Sequence, residues 1–132
     1  MLAGVRDVGK KPLAVGDFQG NRWKLAEMYR DIEASRSILY RACATADPFP
    51  DPLLAAAAKV TVNEMALRVT SEAIQVHGGY GFTDEYPVSR FYRGARYGTL
   101  GGGTTETLKE LVGKQLMTDF PDKDGFLAMG TF

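Results

Sequence analysis

The chain is poor in the residues that most often carry metal and redox chemistry. It has one cysteine, Cys43, and one histidine, His77. A lone cysteine closes no internal disulfide and suits a reducing compartment. One histidine with one cysteine leaves no basis for a zinc site, so no metal is expected. Charge of one sign is not in excess, since 16 Lys and Arg balance 16 Asp and Glu. A nucleic-acid surface needs clustered positive charge, so that partner is not expected. No apolar run approaches the about 18 residues of a bilayer span. The opening MLAGVRDVGKKPLAVG lacks the apolar stretch of a signal peptide. Internal repeats and low-complexity tracts are also missing. What remains is globular: 132 residues, 45% hydrophobic and 24% charged, enough for one domain with one core. The expectation is a cytoplasmic, single-domain chain with no membrane partner.

Residues 1–17 show no period and read as an irregular lead. From Phe18 to about Ala46, Leu25, Met28, Ile32, Leu39 and Ala42 recur at helical spacing. The segment Asp47-Pro48-Phe49-Pro50-Asp51-Pro52 breaks that helix. It also starts the next, with Asp51 as N-cap and Pro52 at the first helical position. A second helix is predicted from about Pro52 to Val76, and its four alanines, Ala55 to Ala58, permit close helix–helix approach. Two amphipathic helices joined by a short turn pack antiparallel. The composition then changes, with eight glycines between Gly78 and Gly103. His77-Gly-Gly-Tyr-Gly-Phe82 reads as a turn. A short helix is expected from Tyr86-Pro87, and a last one carries Leu108, Leu111, Val112 and Leu116. Thr107 and Glu110 form a candidate capping box, with Thr104 or Thr105 as alternative caps. The whole reads as an all-α antiparallel bundle over 18–117, followed by a tail at 118–132.

Single motifs leave choices open. Gly101-Gly102-Gly103-Thr104-Thr105 before a helix is either an anion-binding turn or an ordinary connector. It matches neither a dinucleotide fingerprint nor a P-loop, and no strand precedes it. His77 is either a ligand-facing base or a helix-end residue. Arg90, Arg93 and Arg96 either clamp an anion or pair with Asp84, Glu85 or a neighbouring subunit. Cys43 reads as packing rather than as a nucleophile. Trp23, Tyr29 and Tyr40 read as core or interface.

The order of motifs from Ala57 to Met117 is more specific. Ala58-Lys59 is followed by Ile74-Gln75-Val76-His77-Gly78-Gly79-Tyr80-Gly81-Phe82. Then come Glu85-Tyr86-Pro87-Val88-Ser89-Arg90-Phe91-Tyr92-Arg93 and Gly103-Thr104-Thr105-Glu106. Upstream stand Asp17-Phe18-Gln19 and Arg22-Trp23-Lys24-Leu25-Ala26-Glu27-Met28. This series resembles the C-terminal domain of the acyl-CoA dehydrogenase family, with its "AK" helix, "Q-x-hGGyGy…eyPveRfyRda" block, "yeGTsEi" turn and upstream "dfQ". The family's preceding "eRkqFGkpi" element is matched only by Arg6…Gly9-Lys10-Lys11-Pro12, at irregular spacing.

The resemblance implies an FAD enzyme that removes an α-proton and a β-hydride from an acyl-CoA thioester, leaving an enoyl-CoA and reduced FAD. It implies the family's four-helix C-terminal bundle, with the first helix largely outside this chain. It implies a homo-oligomer or a partner dehydrogenase chain. Gln75, Gly78 and Gly79 would approach the FAD of a neighbouring subunit, Thr104 and Glu106 the FAD of their own, and Gln19 would lie near the cofactor. The family's glutamate base precedes the "GT" pair in many members, and here that place is Gly102, which has no proton-accepting side chain. The aspartate of "RDa" is Gly94. The chain is therefore expected to contribute FAD binding and assembly but no catalytic residue. The alternative is a stand-alone, non-catalytic assembly module derived from the family. In either case the apolar helix faces should be covered by a second copy or tighter association.

Overall fold

The computed structural model describes residues 14–119, and within them the chain is helical with no strand. A single 3-10 turn at Val15–Asp17 leads into α1 (Gln19–Ala44), followed by α2 (Pro52–His77). A one-turn α3 (Gly79–Phe82), α4 (Val88–Gly98) and α5 (Thr105–Asp119) complete the order. The Arg6–Pro12 element and most of the expected lead and tail, 1–13 and 120–132, lie outside the described residues.

The helix boundaries follow from local chemistry. Thr45 closes α1 by donating its hydroxyl to the Ala42 carbonyl at 2.7 Å and accepting the Asp51 N–H at 2.9 Å. The Asp51 carboxylate then accepts the Leu54 N–H at 2.7 Å, and Pro52 occupies the first turn, as expected for this N-cap. Gly78 ends α2 at φ +63°, a conformation that glycine adopts without the Cβ clash. The His77–Phe82 segment is more ordered than a turn, because Gly79–Phe82 winds once more as α3. Its glycine content serves packing: a Cβ on Gly81 would lie 2.7 Å from the Ile74 carbonyl oxygen and 2.8 Å from the His77 Cβ. Only a missing side chain lets α3 fold back onto α2.

The second helix is the axis of the bundle. It packs against α1, α3, α4 and α5, and every side chain from Leu53 to Leu67 is at least partly buried. The antiparallel register with α1 is marked by the Lys24–Glu72 ion pair and by Arg68 to Asp31 at 3.1 Å. Small residues line the seam. Ser35 and Ala42 on α1, and Ala56 and Ala58 on α2, are all at most 5% exposed. That is the close approach expected from the alanine run. Asn63 reaches α4 through the Gly98 carbonyl at 2.8 Å, and Glu64 reaches α5 through Lys109 at 2.6 Å.

The core is thin. Among the described residues its fully buried apolar members are Ala42, Ala56, Ala58 and Val88, and no large side chain is fully enclosed. Of the expected α1 stripe, Met28, Ile32 and Ala42 turn inward at least in part, whereas Leu25 and Leu39 are largely exposed. Trp23 (61% exposed), Tyr29 and Tyr40 are not core residues in this chain. Cys43 is exposed rather than packed. These departures share one cause: among the described residues α1 packs chiefly against α2 and the short 3-10 turn, so just one narrow stripe of it finds an extensive neighbour. An apolar groove of about 290 Å³, lined by Leu39, Ala42, Cys43, Pro50, Ala55 and Val62, runs along that α1–α2 seam.

Candidate functional site

The residues singled out in the sequence fall at two places on the bundle. At one end, Gln75, Gly78 and Gly79 are exposed at the close of α2. The α1–α2 register brings Gln19, also exposed at the start of α1, to the same end. At the other place, Thr104 and Glu106 open α5, beside Lys59 on α2. Along the common helix α2, Lys59 and Gln75 are separated by about 24 Å, at ~1.5 Å of rise per residue. The six candidates therefore form two surfaces.

The α2 end is built by aromatic packing around a fixed histidine. His77 donates its Nδ1 proton to the Ala73 carbonyl at 2.8 Å, one helical turn back. Its ring sits 6.0 Å from that of Tyr86, which in turn meets Tyr80 edge-on at 5.9 Å. His77 is thus a helix-end residue holding the corner where α2 passes into α3, the second of its two sequence readings. The glycines beside it are open: a Cβ on Gly78 or Gly79 would meet nothing within 4 Å. A surface there can be approached to the backbone itself.

The α5 end is a glycine turn held from behind. Gly102 and Gly103 have φ of +64° and +92°. The Lys59 ammonium donates to the carbonyls of Gly101 at 2.7 Å, Gly102 at 2.6 Å and Gly103 at 2.6 Å. The turn's two ends are braced separately. Arg96 donates to the Thr99 hydroxyl, and the Thr105 N–H donates to the Thr99 carbonyl at 3.1 Å. Thr104 is the N-cap, its hydroxyl accepting the Thr107 N–H at 3.3 Å, so the Thr107–Glu110 capping box does not form the helix start. A hydrogen bond from its own backbone N–H, then the Thr104 hydroxyl, holds the Glu106 carboxyl below its ordinary value of 4.5, and the Lys109 and Arg96 charges add to this. Negative charge at a helix N-terminus is favourable. Lys59 entered the sequence reading only as half of the Ala58-Lys59 motif. Its role depends on a contact across 42 or more residues, which no local pattern reports.

The arginines of α4 divide. Arg93 pairs with Asp84 at 3.0 Å, Ser89 also donates to that carboxylate at 3.3 Å, and Arg96 serves Thr99. Arg90 lies against the Phe91 ring at 5.9 Å. Pairing within the chain, not a convergent anion clamp, accounts for Arg93 and Arg96. A groove of about 470 Å³ lies elsewhere, between α1 and α2, and is lined by Lys24, Glu27, Arg30, Asp31, Arg68 and Glu72. Its charges are largely matched in pairs.

Residues 2–117 match the family model "Acyl-CoA dehydrogenase, C-terminal domain". The chain belongs to this family. The short-chain-specific acyl-CoA dehydrogenase of Megasphaera elsdenii is 41% identical over 108 residues, 81% of this chain and 28% of that protein. A 3-sulfinopropanoyl-CoA desulfinase of Paraburkholderia xenovorans is 38% identical over 103 residues, 78% of this chain and 26% of that protein. The fold superposes on butyryl-CoA dehydrogenase of M. elsdenii with a TM-score of 0.75 at 39% identity, covering 87% of this chain and 30% of that one. The chain thus spans less than a third of the relatives it matches. It shares the helical C-terminal domain of a flavoprotein oxidoreductase family. Among the described residues no helix is long and apolar enough to cross a membrane, and no group of three or more His, Cys, Asp or Glu is placed to hold a metal ion.

Proposed function

We propose that this chain is the C-terminal helical domain of an FAD-dependent enzyme acting on acyl-CoA thioesters, supplying cofactor contacts and assembly surface but no catalytic base. The observation that carries the reading is the division of the candidate residues into two open surfaces about 24 Å apart. One copy presents Gln19, Gln75, Gly78 and Gly79 at one end, and Thr104 and Glu106 at the other. A cofactor shared between subunits requires two such half-surfaces.

The residues present fit FAD. No side chain or other backbone group of the described residues accepts from the N–H groups of Gly102, Gly103 and Thr104. The open backbone at Gly78 and Gly79 leaves room for close approach. The amides of the turn would hold the anionic part of the cofactor, and the Gln19 and Gln75 amides offer both donors and acceptors to its polar edges. When bound, FAD supplies the hydride-accepting chemistry. Gly102 has no group to move a proton, so the base must stand on another segment or chain. The relatives include both a dehydrogenase and a desulfinase, and the reading adopted for this chain is the dehydrogenase.

The surface supports homo-oligomer formation or association with a dehydrogenase partner chain. Fifteen large hydrophobic residues are substantially exposed among those described, Trp23, Tyr29 and Phe49 included. Contiguous apolar surface of this kind would suit an interface. The second reading, an assembly module without catalysis, is favoured by Gly102 and by Gly94, which removes the aspartate partner of the "RDa" motif. An absorbance titration of the purified chain with FAD, run beside light scattering, separates the two. A perturbed flavin spectrum that saturates, in an oligomer, supports the flavin domain. An oligomer that leaves the flavin spectrum unperturbed at high FAD supports the assembly module instead.

A further inference from the structure

Lys59 is held in a way that a solvent-facing lysine is not. Its ammonium has three protons, and three successive carbonyls, Gly101, Gly102 and Gly103, receive them at 2.6–2.7 Å. Consecutive carbonyls of an extended chain alternate in direction. They converge on one point here because Gly102 and Gly103 both sit at positive φ. In a planar trans peptide the N–H points opposite to the C=O of the same unit. Drawing those three oxygens toward α2 therefore turns the N–H groups of Gly102, Gly103 and Thr104 away from it. The turn's flanks are secured by other bonds, through Asn63 to Gly98 and Thr105 to Thr99. Its middle depends on Lys59.

We propose that Lys59 is the positioning residue of the Gly101–Thr104 turn, its ammonium holding three carbonyls inward so that three backbone N–H groups face out as a flavin-binding surface. The proposal rests on the flavin reading above and adds to it the group that sets the geometry of that surface. An ammonium is required, because a guanidinium spreads its donors across a rigid plane and does not bring three to one point. Lys59 itself acts from behind the turn, through the backbone.

The test uses the whole chain with Lys59→Met, Lys59→Arg and Lys59→Cys, the last in a Cys43→Ser background and alkylated with bromoethylamine to restore an ammonium at nearly the same reach. Far-UV circular dichroism establishes that each variant is folded. Carbonyl-carbon and amide resonances of residues 101–104 report the turn without any cofactor, and FAD titration reports its consequence. Lys59→Met is expected to shift those resonances while leaving those of α1 unchanged, and to weaken FAD binding by about tenfold or more, since hydrogen bonds to a charged donor are lost. Lys59→Arg should behave like Lys59→Met, and the alkylated cysteine should restore both readouts. Unchanged turn resonances in Lys59→Met, full rescue by Lys59→Arg, or FAD affinity within about twofold of wild type in a folded Lys59→Met would each overturn the proposal. If the wild-type chain binds no FAD, the flavin reading fails. The resonances then decide Lys59's hold on the turn by themselves.

Discussion

Replacing Gly81 by alanine tests the packing of α3 on α2 most directly. The added Cβ would stand 2.7 Å from the Ile74 carbonyl oxygen, 2.8 Å from the His77 Cβ and 3.0 Å from the Ile74 Cα. Two of these three are backbone atoms inside α2, so relief requires moving α3 away from the helix rather than rotating a side chain. Overpacking of this kind costs about 1–3 kcal/mol. The entropy gained by removing a glycine from the unfolded chain offsets roughly 0.5–1 kcal/mol of it. The net expectation is a loss of about 1–2 kcal/mol. For a chain of this length that is a fall of roughly 4–10 °C in melting temperature. Gly94→Ala and Gly113→Ala provide the contrast. Both lie within helices, α4 and α5, and a Cβ at either meets nothing within 4 Å. Each should raise stability by about 0.5–1 kcal/mol, the ordinary preference for alanine within a helix. Thermal melts followed by far-UV circular dichroism measure all three. A Gly81→Ala chain at least as stable as wild type would refute the close approach of α3, and so would three shifts of the same sign.

Gly102→Glu, which puts a carboxylate where many family members carry their base, meets a backbone at φ +64°. It should destabilise the chain by about 1–2 kcal/mol through left-handed strain, read as a lower urea midpoint; an unchanged midpoint would show that the turn relaxes freely. Acid should weaken the fold through Asp31 and Asp84. Hydrogen bonds from Arg30, then Arg68, lower Asp31 from its ordinary 3.8, and a hydrogen bond from Arg93 lowers Asp84 likewise. A depressed folded-state value contributes stability that is present above the unfolded value near 3.8 and lost as pH falls through the folded one. The urea midpoint should therefore drop below about pH 4, and Asp31→Asn should flatten that drop; a slope unaltered in Asp31→Asn would show that the Arg30–Asp31–Arg68 cluster contributes nothing.

Much of the architecture was legible in the chain's order of residues. The Asp51-Pro52 start, the alanine run and the helical spacing of apolar positions report interactions within a few residues, and those are what a linear pattern records. The family motifs are what singled out Gln75, Gly78, Gly79, Thr104 and Glu106 as candidates, since no local pattern marks them. Misreadings arose where the outcome depended on a distant neighbour. Leu25, Leu39 and Cys43 lie on α1, which within the described residues packs chiefly against α2 and the 3-10 turn, so their burial could not be read from spacing along α1 itself. Aromatic character alone does not distinguish Trp23 on an interface from Trp23 in a core.

By itself the sequence determined the boundaries of the two long helices and the family, because each depends on residue identity or on hydrogen bonds across three or four positions. Tertiary structure alone decided that Lys59 reaches three glycine carbonyls and that Gly81 fits only without a side chain. It also decided that the six candidate residues divide between two surfaces. Those depend on which elements α2 brings together, and contacts across tens of residues leave no local periodicity to read.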